Sequence, residues 1–463
     1  MDILLVNPAR MRSGYVTEHL GLASLSAFLT DNNIANDILD LGIEKLSIKK
    51  ACLQIILTNP KILGVSLLDA TKKCGLKLIC LLRQHGYDGK IVVGGYFPTF
   101  SARDILHDFQ EIDFVVRGEG ELTLLALVQN ILGKTPVALN SIQGLSFREK
   151  NKIINNPPRP LIRNLDILPP SNRKYASNVI KSGSHLRVAA SRGCWGKCSF
   201  CEIIGFYGTA SGKAWRRRSV SHFVDELEDL HKKYHSDYFI FNDDQFLVKG
   251  IRSLKYIELF AQEIERRGLK LKFEIMCRAD TITYDAMRRL KSVGLQRVFL
   301  GIESFDAGQL KRYNKGISVF KNIKAIITLR KLEINVIVSV ILADAYTTIS
   351  DLFRQMYTLV RLRQKFASGK QFQISFNNRL EIFPGSKLFQ EYADAGLITR
   401  NNYLTTYLYK INSLIASRLA VQALISQFKV LIKEFIYRVK CTHNLIRFKK
   451  PIFNFNWRTC HEK

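Results

Sequence analysis

Short apolar runs alternate with helically spaced apolar positions along the first part of the chain. The runs Ile3–Val6, Asp37–Leu41, Ile62–Leu67, Lys90–Val93 and Asp113–Val116 read as strands, and Leu22–Leu29, Gly75–Gln84, Ala102–Phe109 and Glu121–Ile131 carry helical spacing. Apolar strands separated by helices predict a doubly wound, five-stranded parallel sheet over residues 1–135, covered on both faces. Ligands of such sheets sit beyond the carboxyl ends of the strands, where strand order reverses.

A second alternation occupies residues 185–395. Strands are expected at Leu186–Ala190, Tyr238–Asn242, Leu271–Met276, Arg297–Ile302, Val336–Leu342 and Phe372–Ser375, with helices at Val220–His231, Ser253–Arg266, Tyr284–Ser292, Phe320–Leu332 and Ile349–Phe366. These six repeats predict a partial (β/α)6 barrel of the TIM type, with function at the carboxyl ends of its strands. Residues 136–184 join the two parts through a small hairpin, Gln143–Arg148 with Lys152–Ile154, and a linker with prolines at 157, 158, 160, 169 and 170. Prolines at that density predict an extended spacer. Over 396–463 the apolar positions Leu414, Val421, Ile425, Phe428, Ile432, Phe435 and Val439 lie among Arg418, Lys429 and Lys433, a basic helical extension expected to pack on its own protein. The fold class is therefore α/β in two parts, with a helical tail.

Candidate chemistry concentrates after the first barrel strand. Ser191-Arg192-Gly193-Cys194-Trp195-Gly196-Lys197-Cys198-Ser199-Phe200-Cys201 sets three cysteines in a C-x3-C-x2-C array on a loop. Closely spaced thiolates hold iron–sulfur clusters, and a four-iron cluster normally takes four of them. Three leave one iron open, as reactive metal sites require. The competing reading is a structural zinc site completed by His185, His222 or Cys277. Against it, the three-then-two spacing departs from paired C-x2-C knuckles, and Phe200 directly precedes the last cysteine.

This C-x3-C-x-aromatic-C array resembles the signature of the radical S-adenosylmethionine (SAM) enzymes. The resemblance implies that Cys194, Cys198 and Cys201 ligate a [4Fe–4S] cluster, that SAM chelates its open iron, and that Phe200 packs near the adenine. Asp243, Asp244, Arg278, Glu303 and Ser304 fall at barrel strand ends and suit the charged and hydroxyl groups of SAM. By resemblance, Asp243 and Asp244 meet its amino group, and Glu303 and Ser304 its ribose or aminocarboxyl end.

The strand ends of the first sheet carry Asn7-Pro8, Ser66-Leu67, Gly94-Gly95 with Thr99, and Arg117-Gly118-Glu119. The runs Val92–Gly95 and Val116–Glu121 are similar to those of the cobalamin-binding domain that precedes the barrel in many radical SAM enzymes, which implies cobalamin contacts at these residues. Where other cobalamin domains have D-x-H-x-x-G, this chain has Asn7-Pro8-Ala9-Arg10, so no lower axial histidine is expected and His19 reads as structural.

The resemblance implies an enzyme whose reduced cluster cleaves SAM to methionine and a 5'-deoxyadenosyl radical. The leading expectation is a cobalamin-dependent methyltransferase acting on an unactivated carbon or phosphorus of a small-molecule or peptide substrate. An electron donor such as flavodoxin or ferredoxin is implied as partner. The alternative within the class is a radical cyclisation or rearrangement that does not use cobalamin for methyl transfer.

At 463 residues, with 47% apolar and 24% charged residues, the chain has the make-up of a folded protein of two or three domains. Its nine cysteines, scattered except for the triad, are no disulfide framework. With no signal-peptide layout and no long apolar stretch, a cytoplasmic setting is expected. A net charge of +29 permits attraction to nucleic acid or a membrane surface, although no motif for either is present. It supports one reading from another class, a non-catalytic basic protein whose cysteines hold zinc.

Overall fold

The computed structural model describes residues 1–8, 16–366, 372–377, 380–401 and 404–407. Of the helical extension expected over 396–463, Ile398–Asn401 and Leu404–Tyr407 form an antiparallel strand pair instead, and residues 408–463 lie outside the described residues, as do Ala9 and Arg10.

The first part runs β1 (Ile3–Asn7), α1 (Leu20–Asp31), β2 (Asn36–Asp40), α2 (Ile48–Thr58), β3 (Ile62–Ser66), α3 (Lys72–Gln84), β4 (Lys90–Gly94), α4 (Tyr96–Asp108), β5 (Phe114–Val116), α5 (Glu121–Ile131), β6 (Leu145–Glu149), β7 (Lys152–Asn155) and α6 (Ala176–Lys181). The second continues with β8 (Leu186–Val188), β9 (Ser191–Arg192), α7 (Glu202–Gly208), β10 (Arg216–Arg217), α8 (Val220–Tyr234), β11 (Tyr238–Phe241), α9 (Ile251–Arg266), β12 (Lys272–Arg278) and α10 (Tyr284–Ser292). It ends with β13 (Leu295–Glu303), α11 (Ala307–Arg312), α12 (Val319–Lys331), β14 (Asn335–Ile341), α13 (Ile349–Phe366), β15 (Phe372–Asn377), α14 (Lys387–Asp394), β16 (Ile398–Asn401) and β17 (Leu404–Tyr407).

Strand order in the first sheet is β2-β1-β3-β4-β5-β6-β7. The five parallel strands were expected; the hairpin β6–β7 then extends the sheet antiparallel to β5, pairing Phe114 with Phe147. Alternation along β1 explains the two covers. Leu4 and Val6 pack with Ile55, Ile79 and Ile105 from α2, α3 and α4, while Ile3 and Leu5 pack with Leu22, Leu29 and Leu127 from α1 and α5. Strand order reverses at β1, which pairs with both β2 and β3. The crevice beyond their carboxyl ends, at Asn7 and Ser66, is thus the switch point of the sheet.

The proline-bearing segment differs from the expected spacer. Leu161, Ile162, Leu165 and Leu168 are buried, and Leu161 N–H donates to Ser211 O at 2.9 Å. Beyond it, Arg173 reaches Glu18 at 3.1 Å and Glu226 at 2.8 Å, joining the two parts through buried charges. Spaced apolar side chains between prolines make this stretch packing material, not tether.

The second sheet holds six parallel strands in the order β15-β14-β13-β12-β11-β8, an open barrel as expected. A stack of Phe241 on Phe273, with ring centroids 4.7 Å apart and Phe223 and Phe260 edge-on to Phe241, fills the layer between strands and helices. The first strand is shorter than expected because the chain leaves the sheet after Val188 and forms a separate ribbon, β9 paired with β10. That ribbon leads directly into the cysteine loop. Among the described residues, no helix is long and apolar enough to cross a membrane.

Candidate functional site

The cysteine loop is shaped by local constraints that its residues dictate. Gly193 has φ +81°, and a Cβ there would lie 1.9 Å from Ala214 O, so only glycine makes this turn. Gly196 N–H donates to Cys194 Sγ at 3.3 Å, and Cys201 caps the start of α7. Ser199 anchors the loop from below: its N–H donates to Tyr313 O at 2.9 Å and its carbonyl accepts from Leu388 N–H at 2.7 Å. Phe200 meets the Tyr313 ring edge-on, with centroids 5.2 Å apart.

Burial raises the Cys194 thiol and pushes Cys201 up to about 12, and each is raised further by Cys198. Such thiols give up their protons only to a metal or a strong local cation. The nearest cations are built in. Arg278, at the end of β12, donates through Nη1 to Cys198 Sγ at 3.3 Å, and its Nη2 donates to Lys315 O. Burial opposes the charge of Arg278, but Asp280 and the thiols Cys198 and Cys194 outweigh it and raise its pKa. Lys315 is buried and lies 3.0 Å from Glu303 Oε1. Glu303 itself stands at φ +64° on an irregular step of the β13–β14 ladder, backbone that a non-glycine residue adopts where its surroundings hold it there.

The two aspartates after β11 part company. Asp243 is 1% exposed and accepts from Ser191 Oγ and, at 3.4 Å, from Ala190 N–H. Burial pushes it up to about 7. Asp244 accepts from Gly193 N–H at 2.9 Å and faces a cavity; burial pushes it to about 6, offset by that N–H, Arg192 and Arg216. Ser304, fully buried, accepts from Asp306 N–H at 2.9 Å and is used in the turn before α11.

The cavity, of about 570 Å³, lies between the carboxyl ends of the first sheet and the β9 ribbon that leads into the cysteine loop; the three cysteines, Phe200, Arg278, Glu303 and Ser304 do not line it. Asn7, Ser66, Gly94, Gly95, Gly118 and Glu119 line one side, Ser191, Arg192 and Asp244 the other. Four of the residues expected at the first sheet do not reach it. Pro8 and Leu67 are buried, and Leu67 lies in the hydrophobic core. Arg117 turns away and donates to Leu145 O and Asn156 O, holding the hairpin. Thr99 joins two lining loops, accepting from Gly118 N–H at 3.0 Å and donating to Gly95 O at 2.8 Å. His19 lines the cavity as the cap of α1. Its Nδ1 accepts from Leu22 N–H at 3.1 Å, which leaves the proton on Nε2, 3.0 Å from Ser66 Oγ, and burial lowers its pKa.

Sequence reasoning passed over Arg192, Glu121 and Lys315 as site residues. Glu121 belongs to the quoted run Val116–Glu121, and Arg192 stands two residues before Cys194, so adjacency was the signal available.

Comparison with known proteins is decisive for the family. The B12 binding domain model matches residues 7–128, and the radical SAM superfamily model matches residues 188–352. The chain belongs to the radical SAM superfamily and carries a B12 binding domain. An uncharacterized methyltransferase of Pyrococcus horikoshii is 30% identical over 417 residues, 88% of this chain and 85% of that protein. The anaerobic magnesium-protoporphyrin IX monomethyl ester cyclase of Synechocystis sp. is 28% identical over 345 residues, 72% of this chain and 66% of that protein. In fold, the chain resembles the cobalamin-dependent SAM radical enzyme OxsB, solved with aqua-cobalamin and SAM bound, with a TM-score of 0.74 at 20% identity over 96% of this chain and 69% of that one.

Membership of this radical SAM group implies a [4Fe–4S] cluster, SAM and cobalamin. The residues present fit them. Among the described residues no three His, Cys, Asp or Glu side chains converge on one ion. Three cysteines on one loop are the number of protein ligands that a four-iron cluster with one open iron takes. Hydrogen bonds from Gly196 and Arg278 to sulfur are the outer contacts that orient and tune such ligands. On the opposite side, a Cβ on Gly118 would meet nothing within 4 Å, so the cavity is open over this stretch of backbone.

Proposed function

We propose that this protein is a cobalamin-dependent radical SAM methyltransferase acting on an unactivated carbon or phosphorus centre of a small molecule or peptide. The supporting observation is that a single cavity is bounded both by the glycine-bearing strand ends of the B12 binding domain and by Arg192 and Asp244 of the barrel. When bound, the reduced cluster supplies the electron that splits SAM, and cobalamin carries a methyl group.

The chain's own residues bind, orient and shield. Cys194, Cys198 and Cys201 hold three corners of the cluster, and Arg278 places positive charge against the Cys198 sulfur. Asp244, facing the cavity, would accept from the SAM ammonium, and Glu303, held by Lys315, would meet its ribose or aminocarboxyl end. Asp243 acts indirectly, fixing Ser191 beneath the loop. Tyr96, Phe206 and Tyr207 wall the cavity with aromatic surface, Tyr96 and Phe206 having ring centroids 4.5 Å apart, which excludes water from the reacting groups. An electron donor such as flavodoxin or ferredoxin reduces the cluster, and the seven free cysteines among the described residues suit a reducing, cytoplasmic setting.

The test is anaerobic incubation of reconstituted protein with reductant, hydroxocobalamin and SAM. The proposal expects a bound corrinoid whose spectrum becomes that of methylcobalamin. The cyclase relative favours a second reading, a radical ring closure without a cobalamin methyl carrier. Cleavage of SAM with no methylcobalamin would favour that reading.

A further inference from the structure

The two sides of the cavity are joined by one charged junction. Glu119 accepts from Arg192 Nη1 at 3.1 Å, from Arg216 Nη1 at 2.7 Å and from Ile162 N–H at 2.9 Å. Glu121 accepts from Arg192 Nη2 at 2.6 Å and from Ser24 Oγ at 2.9 Å. The side chains of Glu119, Glu121 and Arg216 are 7%, 5% and 5% exposed, so these pairs are shielded from screening. The planar Arg192 fork spans both carboxylates, a geometry that fixes distance and angle together.

What each end carries gives the junction its meaning. Glu119 sits between Gly118 and Gly120, which line the cavity on the side of the B12 binding domain. Arg192 and Arg216 are cross-strand partners on the β9–β10 ribbon, and Arg192 is separated from Cys194 only by Gly193. Gly193 is doubly fixed, by its turn against Ala214 and by Asp244. Few rotatable bonds separate the floor of one cofactor site from the first ligand of the other.

We infer that Arg192, clamped between Glu119 and Glu121, is a positioning residue that sets the separation between the corrin and the iron–sulfur cluster. The inference rests on the functional reading above. Arg192 lines the cavity but is not among the cluster ligands, so its loss is expected to release the spacing of the two cofactors. Arg192→Met removes both contacts, and Arg192→Lys keeps the charge but reaches only one carboxylate.

The experiment is pulsed electron paramagnetic resonance on holoenzyme holding cob(II)alamin and reduced cluster, both carrying unpaired spin. Wild type is expected to give one narrow separation. Arg192→Met, with unchanged iron content and corrin absorbance, is expected to shift or broaden it by on the order of 1 Å or more, the scale at which misplacement costs rate. Arg192→Lys is expected to fall between. Should Arg192→Met not fold, Glu121→Gln, which keeps shape and loses charge, takes the same measurement. Wild-type separation in the folded variants overturns the inference while leaving the functional reading intact. Wild-type protein that binds no corrin or no cluster overturns both.

Discussion

The Arg278 guanidinium points one nitrogen at Cys198 Sγ, 3.3 Å away, while its Cζ lies 4.8 Å from the centroid of the Trp195 ring. Cation, sulfur and indole are thereby packed into one unit beneath the cysteine loop. A positive charge beside a cluster favours its reduced, more negative form. Arg278→Met is therefore expected to lower the cluster's reduction potential by roughly 60 mV, the one-electron equivalent of a tenfold change in equilibrium. Arg278→Lys should restore part of it. A potentiometric titration followed by electron paramagnetic resonance measures both, and an unchanged potential in Arg278→Met would remove the residue from this role.

Thr99 predicts a loss on the other side of the cavity. Its hydroxyl joins the Gly95 and Gly118 loops through two hydrogen bonds, and the residue is buried. Thr99→Val keeps the shape and strands the Gly118 N–H, at a cost of about 1–2 kcal/mol. Thermal unfolding should show the loss, corrin binding should weaken with it, and Thr99→Ser should recover both.

Gly118 separates the floor of the cavity from its fold. With φ at +72° and no atom within 4 Å of where a Cβ would stand, its replacement meets strain but no clash. Gly118→Val costs about 1–2 kcal/mol for the left-handed backbone. Its side chain enters the open space. Corrin titration is expected to show weakened binding, while 5'-deoxyadenosine formation persists.

These positions differ in how legible they were. Parallel strands buried on both faces read as apolar runs, so β1, with all five residues buried, was visible from composition alone. The cysteine loop was visible because its ligands are neighbours in sequence. The Glu119–Arg192 pair joins residues 73 apart, and no local pattern says which arginine meets which carboxylate. Thr99 and Ser304 were placed in the site by strand-end position, yet their short hydroxyls serve nearby backbone, as such residues readily do. The linker misled because the prolines at 157, 158, 160, 169 and 170 drew the reading toward a spacer, although Leu161, Ile162, Leu165 and Leu168 between them stand at helical spacing.

Asp243 predicts a pH dependence of stability. Its ordinary value is 3.8, and in the fold burial holds the proton up to about 7. Between those values the folded state binds more protons than the unfolded one, so this group's contribution falls as pH rises and levels off above about 7. Asp243→Asn does not titrate. Its stability relative to wild type should therefore rise from pH 4 to pH 7 by on the order of a few kcal/mol and then stay flat. Chemical denaturation at several pH values checks this, and a difference independent of pH would contradict it.

SAM cleavage by anaerobically reconstituted protein, read by mass analysis beside iron and sulfide content, decides whether Cys194, Cys198 and Cys201 hold a reactive iron–sulfur cluster. The account predicts about four iron and four sulfide per chain, reductant-dependent 5'-deoxyadenosine, and loss of that product in Cys198→Ala. One equivalent of zinc without iron, or undiminished 5'-deoxyadenosine in Cys198→Ala, would contradict it.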